Sequence, residues 1–319
     1  MTLKEKYAPF FRIGAAVNTR TVDTRAGILK AHFNSLTCEN DTKPEGVTRD
    51  GVSYDFTRGD KIVNFAREHG MAFRLHTLAW HQATPEAMYG GRTREAAITM
   101  MESHFSKMAA KYGDAYAVDV VNEALDDSEG KFLRDTPLKA IIGDDYVDVA
   151  YTLARKYFPG NALVYNDYLE CDPVKSKKIF ELIHGMKRRG VPVDVFGFQS
   201  HYNIYSPEPD AVRRAFELYS KLGVRFQVTE LDASLFAYGD ASSLPAPAQE
   251  LLQRQAGYYR GLFAVYREYA ELIDSVTFWG VADPDSWLNN FPVKGRHDWP
   301  LPFDGDGNAK SCVESILDF

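Results

Sequence analysis

Short apolar runs alternate with amphipathic stretches from one end of the chain to the other. Apolar runs of about four to eight residues are typical of strands buried on both faces, and they occur at 12–17, 33–37, 71–78, 116–122, 162–165, 194–200, 224–229 and 275–280. The stretches between them have helical periodicity and predict helices, among them 57–69, 95–112, 144–158, 173–189, 208–222 and 248–271.

Strands that alternate with helices in this way predict an α/β fold, a (β/α)8 TIM barrel with its active site at the C-terminal ends of the strands. A doubly wound sheet is the competing α/β fold, but it usually has a glycine-rich turn after the first strand. The segment FRIGAAV offers only Gly14 there. No Ser/Gly linker or low-complexity tract interrupts the pattern, so we expect residues 1–319 to form one catalytic barrel domain.

Charge, apolar segments and cysteine content indicate which partners and which compartment to expect. The chain has a net charge of -7, which gives no basic surface for nucleic acid or anionic lipid. Its N-terminus lacks an apolar segment of signal-peptide length, and no later run reaches the roughly 18 apolar residues of a membrane span. We therefore expect a cytoplasmic protein with no membrane partner. Three widely spaced cysteines indicate neither a disulfide framework nor a metal cluster: Cys38, Cys171 and Cys312.

Two of the apolar runs end in an acid. VDVVNEAL contains Glu123 and RFQVTELD contains Glu230, each at the end of a predicted strand. A charged side chain in that position is costly unless it is paired or used. Two of them allow one barrel to hold two carboxyl groups across a single substrate bond. The alternative interpretation is that both are structural ion-pair partners.

Further polar residues lie at the ends of the predicted strands, which indicates a lined cleft. They are Glu39, Asn40, Lys43, His76, His81, Asn122, Asn166, Gln199, His201 and Asp232, and Trp279 and Trp287 follow the eighth strand. His76 and His81 are five residues apart, which places them on opposite faces of a strand, and no Cys or Asp cluster joins them. We therefore expect no metal site and no cofactor.

Eight blocks of the chain resemble, in the same order, those of family 10 glycoside hydrolases, the retaining endo-β-1,4-xylanases. The blocks are FNSLTCENDTKPE, RLHTLAWH, VDVVNEAL, LRDTPLKAIIGDDY, VFGFQSHY, FQVTELD, FWGVADPDSW and PVKGRHDWPLPFD. They cover the chain nearly end to end. The resemblance implies an endo-1,4-β-xylanase of the intracellular type, acting on xylo-oligosaccharides.

The resemblance also implies a double displacement, with Glu123 as acid/base and Glu230 as nucleophile. Physical reasoning agrees with this assignment. If the barrel holds the two carboxyl groups roughly 5 Å apart, one can attack the anomeric carbon while the other protonates the leaving oxygen. Glu123 must then be protonated and Glu230 ionised near neutral pH, so we expect their surroundings to separate the two pKa values.

By the same resemblance, neighbouring residues orient the carboxyl groups and bind the sugar. His201 is expected to bridge Glu230 and Asp232. Gln199 is expected to hydrogen-bond the acid/base, and Asn122 to bind the 2-hydroxyl of the reacting sugar. The expected sugar-binding residues are Glu39, Asn40, Lys43, His76, Trp80, Asn166, Tyr168, Trp279 and Trp287.

One departure from the family pattern bears on specificity. Many relatives have Gln where this chain has Ala83, and loss of that side chain loosens the expected discrimination of xylose from glucose. A retaining β-1,4-glucanase or an exo-acting xylosidase on the same scaffold is therefore the alternative enzyme. A carbohydrate-binding barrel without catalysis is the alternative of another class. The sequence leaves chain-length preference and oligomeric state open.

Overall fold

The computed structural model describes residues 1–318, apart from the surroundings of Gly90 and the side chain of Arg92. Its strands are β1 (Arg12–Val17), β2 (Ser35–Cys38), β3 (Ala72–Leu75), β4 (Ala79–Trp80), β5 (Ala117–Asn122), β6 (Ala162–Asp167), β7 (Val195–Phe198), β8 (His201–Asn203), β9 (Arg225–Ser234) and β10 (Ile273–Phe278). All except β4 and β8 form a parallel barrel, and β10 closes it by pairing with both β9 and β1. The two short strands pair with β5 and β9.

Helices connect the strands on the outside of the barrel. They are α1 (Leu3–Tyr7), α2 (Thr21–Thr24), α3 (Ala26–His32), α4 (Pro44–Val47), α5 (Thr57–Glu68), α6 (Arg94–Tyr112), α7 (Pro137–Ile142), α8 (Tyr146–Tyr157), α9 (Pro173–Arg188), α10 (Pro209–Ser220), α11 (Gln249–Glu268) and α12 (Ser311–Leu317). At the start of α9, the Asp172 carboxylate accepts hydrogen bonds from the backbone N–H groups of Val174 and Lys175. Pro173 suits the first turn, where a backbone N–H has no partner within the helix. Within residues 1–318, no helix combines the length and the apolar character that a membrane span requires.

The strands place apolar side chains outward and small or polar side chains inward. Leu36, Val118 and Phe226 belong to the large core that the surrounding helices cover. Arg74 of β3 donates a hydrogen bond through Nε to Gln227 of β9 at 3.1 Å. Because β3 and β9 are not neighbours in the sheet, both side chains point into the barrel. Its interior is therefore polar close to the rim where the candidate site lies.

The predicted (β/α)8 barrel is confirmed, and the bounds of its long helices agree with the prediction to within a few residues. The strand predicted at 71–78 is shorter, because β3 ends at Leu75. Beyond it, the backbone of His76 and Leu78 bonds to Thr42 and Asp119 instead of continuing the ladder. His76 and His81 therefore lie outside β3, and the prediction that they face opposite sides of one strand is wrong.

Candidate active site

Glu123 and Glu230 lie at the same rim of the barrel. Glu123 directly follows β5, and Glu230 lies in the C-terminal half of β9. Both side chains are nearly buried, with 7% and 5% of their surface exposed. Since all barrel strands are parallel, their C-terminal ends meet at one rim, and the two carboxyl groups line it together.

The carboxyl group of Glu123 is held by three donors. Its Oε1 accepts from Gln199 Nε2 at 2.9 Å and from Asn122 Nδ2 at 3.1 Å. Its Oε2 accepts from Trp80 Nε1 at 3.0 Å. The hydrogen bond expected between Gln199 and Glu123 is therefore present, and Trp80 contributes a polar contact besides its ring surface.

The carboxylate of Glu230 is held by His201 and Asn166. His201 Nε2 lies 3.1 Å from Glu230 Oε2, and Asn166 Nδ2 donates to Glu230 Oε1 at 2.7 Å. The other ring nitrogen of His201 lies 2.9 Å from Asp232 Oδ2, which also accepts from Trp287 Nε1 at 2.9 Å. The expected bridge from Glu230 through His201 to Asp232 is present.

Two side-chain amides connect the carboxyl groups. Asn166 Nδ2, which contacts Glu230, also donates to Asn122 Oδ1 at 2.8 Å. Asn122 in turn donates to Glu123. Thr229 donates through Oγ1 to Asn166 Oδ1 at 2.6 Å and so fixes the orientation of that amide. Both carboxyl groups are thus held in one hydrogen-bonded network, which restricts their separation and orientation.

The surroundings shift the pKa values of Glu123 and Glu230 in opposite directions. Burial raises the pKa of Glu123, and the charges of Asp167 and Glu230 add to this, although the hydrogen bond from Gln199 acts against it. Burial alone would also raise the pKa of Glu230, but the hydrogen bond and charge of His201 lower it below its ordinary value. Burial alone would lower the pKa of His201, but the carboxylates of Asp232 and Glu230 raise it to about 10. At neutral pH His201 is therefore a cation beside an ionised Glu230.

Lys43 carries a positive charge into the same region. Its Nζ donates to Asn40 Oδ1 at 2.8 Å and lies 4.6 Å from the centroid of the Trp80 ring. Burial lowers the pKa of Lys43, while nearby carboxylates, Glu230 first among them, act in the opposite direction. Burial likewise raises the pKa of Glu39. These groups offer charged and polar contacts to hydroxyl groups at the rim.

His76 is held by a buried ion pair that the sequence analysis missed. Burial keeps the pKa of His76 well below its ordinary value, so the neutral ring donates through Nδ1 to Asp119 Oδ2, 2.7 Å away. Asp119 also pairs with Arg74, and both are fully buried. The signal was present in the sequence, because a charge inside an apolar strand needs a buried partner.

Aromatic rings form one side of the site. The Trp279 ring lies 5.3 Å from the ring of His76, and the Trp287 ring lies 4.9 Å from that of His201. Phe291 stacks on Trp287 at 5.1 Å and is 56% exposed. This surface could accept the apolar face of a sugar.

Tyr168, one of the expected sugar-binding residues, belongs to a separate network beside these groups. Its hydroxyl donates to Asp127 Oδ2 at 2.5 Å, and Lys175 Nζ lies 4.6 Å from the centre of its ring. Arg134 also contacts the hydroxyl. A sugar-stacking role for Tyr168 stays a prediction.

The arrangement suits acid–base and nucleophilic chemistry by carboxyl groups. The surroundings raise the pKa of Glu123 and lower that of Glu230. These directions favour the protonated state that a proton donor requires and the ionised state that a nucleophile requires. Within residues 1–318, no group of three or more His, Cys, Asp or Glu side chains is arranged to hold a metal ion.

Comparison with known proteins points to a family with the same architecture. The model of glycosyl hydrolase family 10 matches residues 2–319. Endo-1,4-beta-xylanase B of Paenibacillus barcinonensis is 42% identical over 99% of this chain and 97% of its own length, and the endo-1,4-beta-xylanase of Geobacillus stearothermophilus is 39% identical over 99% and 98%. A mutant protein solved in complex with xylotriose is 41% identical, covers 100% of both chains and superposes with a TM-score of 0.97. The chain belongs to glycosyl hydrolase family 10.

Proposed function

We propose that this protein hydrolyses β-1,4-xylosidic bonds with retention of configuration, with Glu123 as acid/base and Glu230 as nucleophile. The observation that carries the proposal is the pair of carboxyl groups at one rim, joined through Asn122 and Asn166 and shifted in opposite directions. Two carboxyl groups with distinct protonation states, one on each side of the scissile bond, are the machinery of most glycoside hydrolases.

In the first step, a carboxylate oxygen of Glu230 attacks the anomeric carbon, and the bond from that carbon to the leaving oxygen breaks. Glu123 gives its proton to the leaving oxygen, so no alkoxide is released. His201 keeps the pKa of Glu230 low and therefore keeps the nucleophile ionised. The product of this step is a glycosyl ester on Glu230.

In the second step, Glu123 acts as base. Formation of the ester removes the negative charge of Glu230, which is one of the causes that raise the pKa of Glu123. Having lost its proton, Glu123 takes one from a water molecule, which attacks the anomeric carbon and displaces Glu230. Two inversions give net retention. Charge coupling between the two carboxyl groups thus times the change of role.

The substrate class follows from the relatives and from the donors of the site. Relatives about 40% identical over their full length are named endo-1,4-beta-xylanases, and a similar structure holds xylotriose. Lys43, Asn40 and Glu39 supply donors and acceptors for sugar hydroxyl groups, and Trp279 and Trp287 supply ring surface. Xylo-oligosaccharides are the substrates we propose.

Rates on xylotriose to xylohexaose, compared with cello-oligosaccharides of equal length, test the proposal. We expect kcat/KM to be about 10-fold or more higher on the xylose series. Glucose carries a hydroxymethyl group that xylose lacks, and a site that fits xylose rejects such a group by a modest contact energy. Glu230→Gln is the control and should bind these sugars without cleaving them. Equal or faster cleavage of the cellulose series would indicate a glucanase. Release of single xylose units from one end would indicate an exo-acting xylosidase, and binding without cleavage a binding protein.

A further inference from the structure

The chain returns to Glu123 through a short hairpin. After β5, Leu125 and Leu133 form an antiparallel bridge, and Asp126 N–H donates to the carbonyl of Phe132 at 3.0 Å. Arg134 N–H then donates to the carbonyl of Ala124 at 2.9 Å. The hairpin therefore brings Arg134 back beside Ala124, the residue that follows Glu123.

The guanidinium of Arg134 binds the backbone of Glu123. Its Nε donates to the Glu123 carbonyl oxygen at 3.1 Å. Its Nη2 donates to both carboxylate oxygens of Asp127 at 2.9 Å and contacts the hydroxyl of Tyr168. Only 18% of the side chain is exposed. The planar fork of donors is thus fixed on one side by Asp127 and Tyr168 and presents Nε to Glu123.

Glu123 needs such support because of its backbone conformation. Its φ angle is +56°, in the left-handed region that residues with a Cβ rarely adopt. A residue there persists only when its surroundings hold it. Its N–H donates to the Asn166 carbonyl at 2.9 Å, and its own carbonyl accepts from Arg134. Fixed partners therefore hold both polar backbone groups of this residue.

We propose that Arg134 is a positioning residue for Glu123: by holding the carbonyl of Glu123, it keeps the backbone in the conformation that directs the carboxyl group into the site. The inference rests on the proposed role of Glu123 as acid/base. Arg134 acts through the backbone and contacts no reacting atom. Its loss should therefore affect steps that need the proton of Glu123 and leave the attack by Glu230 largely intact.

Substrates with different leaving groups separate these effects. Phenyl β-xylobioside releases a poor leaving group that needs protonation, whereas dinitrophenyl β-xylobioside releases one that does not. In Arg134→Met, we expect kcat/KM on the phenyl substrate to fall by about 10-fold or more, and on the dinitrophenyl substrate by less than about 3-fold. Arg134→Lys keeps a donor and should recover part of the lost rate on the phenyl substrate.

Two reference variants complete the experiment. Lys131→Met removes a cation from the same hairpin, where it pairs with Asp135, and should change neither rate. Glu123→Ala should show the largest difference between the substrates; if it shows none, the proposed role of Glu123 fails, and the role of Arg134 with it. If Glu123→Ala behaves as expected but Arg134→Met loses equal rate on both substrates, or on neither, the positioning role is refuted. Should Arg134→Met not fold, Arg134→Lys is judged by the same comparison.

Discussion

His201 lies between two carboxylates, 3.1 Å from Glu230 and 2.9 Å from Asp232. The two candidate catalytic glutamates are the same residue type, and both are buried, so burial alone would raise both pKa values. The cation of His201 lowers the pKa of Glu230. At the residue scale, this asymmetry supports the proposed roles of Glu230 as nucleophile and Glu123 as proton donor.

Replacing His201 with Asn should move the acidic limb of the pH profile. Glu230 must be ionised to attack, and His201 lowers the pKa of Glu230. Without the cation this pKa rises, so the acidic limb of kcat/KM moves to higher pH, while the alkaline limb, set by Glu123, moves less. His184→Asn, on the exposed face of α9, is the matched control and should leave both limbs in place. An acidic limb that stays in place, or moves to lower pH, would contradict the assignment.

The residues that the sequence reveals are those that break a pattern. Glu123 and Glu230 stand out because an acid ends each of two apolar runs. Arg134 does not stand out, because its function depends on a hairpin that returns it to Glu123. Long-range contacts of this kind have no period in the sequence. The positions of Lys175 and Asp127 around Tyr168 could not be predicted for the same reason.

At the scale of elements, a buried ion pair joins β3 to β5. The side chains of Arg74 and Asp119 are both 0% exposed, and Asp119 also binds His76. Breaking such a pair leaves an unpaired charge in the barrel interior. The pair thus couples the packing of two strands to the orientation of a candidate sugar-binding residue.

A double-mutant cycle on this pair has a clear expectation. Arg74→Met and Asp119→Asn should each lower the free energy of unfolding by about 3–5 kcal/mol, and the double variant should lose less than the sum of the two. Urea unfolding gives these values. The exposed pair of Arg67 and Asp114 is the control, where the coupling should stay below about 1 kcal/mol. Additive losses at Arg74 and Asp119 would show that the two side chains do not act as a pair.

The long helices were predictable, and the two shortest strands were not. The helices α5, α6, α9 and α11 each have several turns, so their periodicity is visible in the sequence. The strands β4 and β8 have two and three residues, too few to show a period. β9 runs to Ser234, beyond the predicted end at residue 229, because its last residues pair with β8.

At the scale of the whole molecule, the barrel depends on the seam between its first and last strands. Gly14 of β1 lies opposite Thr277 of β10. A Cβ at Gly14 would lie 2.6 Å from Thr277 Oγ1 and 3.2 Å from Thr277 Cβ. The close approach of the two strands at this point therefore requires a residue without a side chain.

Gly14→Ala should destabilise the whole fold. We expect the free energy of unfolding to fall by about 1–3 kcal/mol, because the added methyl group overpacks the seam. Gly257→Ala is the matched control: nothing lies within 4 Å of a Cβ there, inside α11. The same substitution should raise stability by about 0.5–1 kcal/mol through helix propensity. Equal unfolding midpoints for Gly14→Ala and the unchanged protein would show that the seam does not limit stability.

Two carboxyl groups that cleave one bond in two displacements are the centre of the proposed mechanism. The most direct test is the configuration of the new reducing end, followed by proton NMR in the first minutes of xylohexaose cleavage, before the anomers equilibrate. We expect the β-anomer to form first and the α-anomer to appear only later, by mutarotation. Initial formation of the α-anomer would mean a single displacement by water and would contradict the role of Glu230 as nucleophile.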